Sequence, residues 1–114
     1  MSFRWTTKDP DETLDYSIDW SRFLGTATIS SVVWSVKTPE IAKTTLPAGQ
    51  DLTTASSNAV TDSIQNIAQT NTNTVATINL GGGVLNREYI FTCNIIDSTG
   101  SQAERTVKMR IREN

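Results

Sequence analysis

The side chains with the most chemical potential in this 114-residue chain are carboxylates near its N-terminus: Asp9, Asp11, Glu12, Asp15 and Asp19. Such oxygens bind calcium when several converge with backbone carbonyls, but the run lacks the Asp-x-Asp-x-Asp-Gly spacing of a calcium loop. Paired carboxylates also hydrolyse glycosides when they flank a cleft, which one small domain seldom offers. The better reading is a solvated acidic edge or a docking surface for a basic neighbour. Towards the other end lie Arg105, Lys108, Arg110 and Arg112, balanced only by Glu104 and Glu113. An outward row of charge on a last strand discourages pairing with stray strands. The same row can form an interface, the acidic segment 9–19 of one copy meeting the basic strand 104–112 of the next. Complementary charge would then set register and encounter rate, and head-to-tail contacts of that kind close into rings.

The remaining candidates are few. The chain has no His, which excludes Ser-His-Asp and Cys-His catalysis and every His-ligated metal site in a monomer. Its one cysteine, Cys93, cannot form a disulfide within the chain. Cys93 alternates with Tyr89, Phe91 and Ile95, and nothing beside it would lower its pKa, so it reads as a small buried hydrophobe. Gly81-Gly82-Gly83 has the look of a phosphate cradle, but a β-prone run follows where a phosphate loop needs a helix with a Lys. An inter-strand turn is the simpler reading. Phe3 and Trp5 precede the first clear strand in an otherwise polar segment. They are either anchors that bury in a partner or part of an arm folded back on its own domain.

The elements that must position these residues are mostly strands. Glu88 to Asp97 alternates apolar and polar, Asp97-Ser98-Thr99-Gly100 is a turn sequence, and Ala103 to Arg112 alternates again. Together they predict an antiparallel hairpin. Thr74 to Leu80 predicts a strand before it, and Thr13 to Asp19 another, with Leu14, Tyr16 and Ile18 inward. Asp19 resembles the N-cap of a helical turn that Gly25 stops. The apolar phase changes within Ala27 to Val36, which a β-bulge near Ser30-Ser31 would reconcile. Trp34 and Trp20 are expected in the core. The polar stretch 38–73 predicts loop with one or two short strands, although Val60, Ile64 and Ile67 share helical spacing.

Size and composition agree. At 12.5 kDa the chain is one domain, with residues 1–12 an extended N-terminal arm and 13–114 the folded unit. The hydrophobic fraction is 37%, and Thr, Ser and Asn make up the deficit, which favours strands and turns. Ten basic residues against twelve acidic ones give a net charge of −2, too little positive charge for nucleic-acid binding. No apolar run is long enough to span a bilayer, and residues 1–5 lack the apolar stretch of a signal peptide. Turn signals between six or seven antiparallel strands predict an all-β protein, an immunoglobulin-like sandwich.

One resemblance joins the pieces. Lys8-Asp9-Pro10-Asp11-Glu12-x-Leu14-Asp15-Tyr16-x-Ile18-Asp19-Trp20, then Leu24 and Ile29-Ser30-x-x-x-Trp34-Ser35-Val36, resembles the opening of a family of small tailed-phage structural proteins. Gly81 to Gly83, the Tyr-containing strand 89–95, the Ser-Thr-Gly turn and the Arg-rich last strand are similar as well. The resemblance covers residues 8–36 and 75–112. It implies a fibre–tail adaptor or head–tail accessory protein with an immunoglobulin-like fold: a virion component assembled in the host bacterial cytoplasm, not an enzyme, and without a cofactor. Its partners would be other virion proteins (portal or neck, tail or tail-fibre subunits), in several copies on a symmetric assembly. Phe3, Trp5, Asp9, Asp11, Arg105, Lys108, Arg110 and Arg112 are the expected contact residues. The competing readings are a capsid decoration protein and a carbohydrate-binding adhesin module.

Overall fold

Alternation of apolar and polar side chains builds nearly everything that is regular in this computed structural model, which describes residues 2–5, 8–9, 12–39, 42–52 and 64–112. Nine strands are present among them: β1 (Ser2–Arg4), β2 (Leu14–Asp19), β3 (Ile29–Lys37), β4 (Thr44–Thr45), β5 (Gln50–Asp51), β6 (Gln65–Asn71), β7 (Val75–Gly81), β8 (Glu88–Asp97) and β9 (Gln102–Arg110). They form a five-stranded sheet in the order β1-β9-β8-β3-β4 and a four-stranded sheet in the order β2-β7-β6-β5. Every neighbouring pair is antiparallel except β1 and β9. The protein is an all-β sandwich. Its strands exceed the six or seven expected because β1, β4 and β5 are too short to show a period.

The β8–β9 hairpin is the frame of the larger sheet. Tyr89, Phe91, Cys93 and Ile95 are fully buried on one side of β8, and Val107 and Met109 join them from β9. Asp97 closes the turn: its Oδ1 accepts hydrogen bonds from the Thr99 hydroxyl at 2.6 Å, the Thr99 N–H at 2.8 Å and the Ser101 N–H at 3.0 Å. The hydroxyl bond above all, with the backbone N–H groups, holds its carboxyl below the ordinary value of 3.8. In β3 the register shifts between Ile29 and Ser31, the bulge that the change of phase predicts. Beyond it Trp34 and Val36 point into the core. The helical turn α1 (Ser21–Leu24) follows Trp20, which takes the N-cap position, while the Asp19 carboxylate accepts from the Ser21 N–H at 2.9 Å.

The middle of the chain is held by isolated pegs. Leu46, Leu52 and Ile64 are each fully buried, and no alternating apolar run surrounds them. Asn66, also buried, donates through Nδ2 to the Leu46 carbonyl and to Gln69 Oε1, both at 2.9 Å. Ile64 and Ile67 do not share a helical face: Ile64 leads into β6, and Ile67 is the exposed residue at a second bulge. Val60 lies outside the described residues.

The N-terminal segment is extended and laid along the domain. β1 pairs with β9 at Ser2–Thr106, Phe3–Val107 and Arg4–Lys108, and the Trp5 N–H donates to the Lys108 carbonyl at 2.9 Å. Of the two alternatives for Trp5, the structure takes the folded-back one. Its ring stacks on Tyr16 with centroids 4.8 Å apart and lies 5.6 Å from Phe91 and 5.9 Å from Trp34.

Trp5→Ala should therefore destabilise the fold by about 2–4 kcal/mol, read as a lower urea midpoint of the purified chain; an unchanged midpoint would contradict the packing. Asp97 has a lowered pKa in the folded state, so it stabilises above the unfolded value of 3.8 and less as pH falls below it. Asp97→Ala should lower the melting temperature at pH 7, with the gap to wild type closing as the pH drops below that value.

Candidate functional site

Strand alternation decides where each charged residue goes. On β9 the even positions face outward, so Lys108 and Arg110 share the outer face of the larger sheet, opposite Ile90 and Glu88 of β8. Arg105 is odd and turns the other way. It stands opposite Cys93, its guanidinium lies 4.8 Å from the centre of the Trp20 ring, and its Nη1 donates to the Asp19 carbonyl at 3.2 Å. Arg105 thus closes one end of the core and leaves the basic row expected from sequence. Arg112 is exposed just past β9, and its N–H is tied to the Lys8 carbonyl at 2.8 Å.

The acidic residues separate in the same way. Asp15 and Asp19 are exposed on the outer face of β2, where Asn79 Nδ2 donates to Asp15 Oδ1 at 2.6 Å and Ser17 bonds Thr77 at 2.8 Å. Hydrogen bonds from Ser21 hold the Asp19 carboxyl below the usual range, with Arg105 adding to the effect. Asp9 belongs to a local turn: its N–H donates to Glu12 Oε1 at 3.0 Å and its carbonyl accepts the Glu12 N–H at 3.0 Å. Asp11 lies outside the described residues, and Phe3 stands opposite Val107 in the β1–β9 register. Among the described residues no three His, Cys, Asp or Glu side chains are grouped to hold a metal ion. Cys93 is fully buried, and loss of solvent pushes its thiol up to about 12.

Sequence reasoning missed Lys8. This lysine is fully buried, and its Nζ donates to the Gly82 carbonyl at 2.7 Å and to the Asp9 carbonyl at 2.8 Å. A buried ammonium is tolerated only when hydrogen-bonded, and the glycine turn supplies one of the carbonyls. Gly83 must be glycine: its φ is +106°, and a Cβ would come within 2.8 Å of the Ile111 side chain. A lysine next to a turn sequence carries no periodic signal, so only the pairing with the distant glycines reveals its role.

The two charged surfaces are held on opposite sheets by this frame. The five-stranded sheet carries Lys37, Arg105, Lys108 and Arg110 against Glu88, Asp97 and Glu104. The four-stranded sheet carries Asp15, Asp19 and Asp51 with no Lys or Arg. A family model for the podophage GP4 fiber-tail adaptor protein gp77 matches residues 8–110. The chain belongs to this family. The match begins at Lys8 and runs through β9, so it takes in the Lys8–Gly82 lock and both charged surfaces of this adaptor-family member. No curated protein matches the sequence.

Lys8→Met should leave two half-buried carbonyls without their charged donor and lower stability by about 1–3 kcal/mol. Urea unfolding of the purified variant checks this; a midpoint equal to that of wild type would mean that the lock contributes nothing.

Proposed function

We propose that this chain is a non-enzymatic adaptor that joins the phage tail to its fibres, with its two unlike sheets facing different virion proteins. The observation that carries the reading is the family match over residues 8–110. The geometry supports it: an adaptor needs a rigid body with two distinguishable surfaces, and here a packed core separates a basic outer face from an acidic one. Lys108 and Arg110 form one contact surface, and β2 with Asp15 forms the other. Several copies around the tail axis would present both surfaces repeatedly, and assembly would take place in the host cytoplasm.

The fold name follows the same line. The order β2-β7-β6 opposite β9-β8-β3 parallels strands B-E-D opposite G-F-C of immunoglobulin-type domains. Trp34, on the strand corresponding to C, stands beside Cys93 on the strand corresponding to F. These correspondences support an immunoglobulin-like sandwich that has dispensed with the B–F disulfide.

Particles assembled without this chain should carry tails but no fibres, and supplying the wild-type chain should restore them; fibres attached in its absence would overturn the adaptor reading. Lys108→Glu with Arg110→Glu should fold normally and reduce fibre-bearing particles at least about tenfold, since like charge across an interface costs several kcal/mol.

A further inference from the structure

The edges of the two sheets are unequal. Three end in very short strands: β1 has three residues, β4 two and β5 two. Short edge strands protect a sheet against unwanted pairing. The fourth edge is β2, six residues long, with an unbroken register to β7 and neither proline nor lysine within it. It has none of the usual protections except its two aspartates.

The hydrogen-bond phase of this edge is set by one bond. The Trp20 N–H donates to the Thr74 carbonyl at 2.8 Å, and Trp20 continues the register that pairs Asp19 with Val75. In an antiparallel ladder alternate residues turn their backbone groups towards the same neighbour. Leu14, Tyr16 and Ile18 therefore face β7, while Asp15, Ser17 and Asp19 face outward. The Asp19 carbonyl is taken by Arg105. Among the described residues, the N–H and C=O of Asp15 and Ser17 and the N–H of Asp19 have no backbone partner.

Resting on the adaptor reading, we infer that β2 is the docking edge: an extended strand of another virion protein, carrying Lys or Arg opposite Asp15, adds to the four-stranded sheet beside it. Backbone pairing supplies the contact, and alternate side chains supply selectivity. Charge selects the occupant. The four-stranded sheet has three aspartates and no basic residue, so a basic strand gains from cross-strand pairs. A second copy of β2 is disfavoured, because antiparallel self-pairing about Ser17 would set Asp15 against Asp19 on both sides. The chain's own β9 is not a free donor, since β8 occupies one side and β1 covers Thr106 to Lys108 on the other.

The test is Ser17→Pro in the full chain within the phage. The Ser17 N–H faces outward, so proline removes no backbone hydrogen bond of the fold but blocks the edge, and the exposed side-chain bond to Thr77 that it also loses is lost equally in Ser17→Ala; Ile18→Pro, whose N–H faces β7, should unfold the domain. Chain content per particle is measured by mass spectrometry, and folding of each purified variant by thermal melting. Ser17→Pro should melt as wild type does and fall at least about tenfold in particle content, whereas Ser17→Ala should stay within about twofold of wild type. Asp15→Lys should also lose about tenfold. Wild-type content for Ser17→Pro would overturn the edge pairing and leave the adaptor reading standing. Absence of the wild-type chain from the tail–fibre junction, seen by immunolabelling, would overturn both. Should Ser17→Pro unfold, amide exchange of the wild type decides: Asp15 and Ser17 should be protected about a hundredfold more in particles than in the free chain, and unchanged exchange would overturn the inference. Self-association of the purified wild-type chain that Asp15→Lys abolishes would instead assign the edge to a second copy and overturn the basic partner.

Discussion

The stacking of Trp5 on Tyr16 decides which edge of the sandwich the first strand covers. A chain entering an antiparallel sandwich can lay its first segment along either sheet. Here the Trp5 ring sits between the layers, against Tyr16 of β2 on one side and Phe91 and Trp34 on the other. Its backbone is hydrogen-bonded to Lys108. Lys8 fixes the choice a few residues later by burying its ammonium under the Gly82 carbonyl. Because one short segment covers only one edge, committing β1 to β9 leaves β2 open. The anchored N-terminal segment and the uncovered β2 edge thus have a common cause.

Charge follows the same division. The small net charge of −2 conceals one sheet in which Lys and Arg outnumber Asp and Glu and another that carries aspartates and no cation. The core between them keeps the two sets of charges on opposite surfaces, beyond easy mutual neutralisation. Arg105 reaches the acidic side at the end of β2, capping Trp20 and the Asp19 carbonyl. The rest of β2 keeps its negative character. A connector between two different proteins benefits from such a division, since each surface repels the other's partner.

How much of this was legible in the sequence depends on whether a residue's role repeats along the chain. The β8–β9 hairpin, β7, β2 and the bulge in β3 were readable because Tyr89 to Ile95, Ala76 to Leu80, and Leu14 to Ile18 alternate, and Ile29 to Val36 breaks phase once. β4, β5 and β6 were not, because Leu46, Leu52 and Ile64 are single apolar pegs outside any alternating run. Asn66 bridges to the Leu46 carbonyl and the Leu52 N–H donates to the Ile64 carbonyl, contacts between residues with no shared period. Alternation alone puts Lys108 and Arg110 on the outer face of β9. Arg105 does not share that face, because its odd position on β9 turns it towards Trp20 and the Asp19 carbonyl. Trp5 and Lys8 carry the fold through tertiary contacts that no local pattern encodes.

The most direct measurement is a cryo-electron microscopy reconstruction of the tail with fibres attached, at a resolution that separates strands about 4.8 Å apart. The account expects density for a strand from another virion protein continuing the four-stranded sheet at β2, with a basic side chain opposite Asp15. A β2 edge facing solvent, with every intermolecular contact made elsewhere, would contradict it.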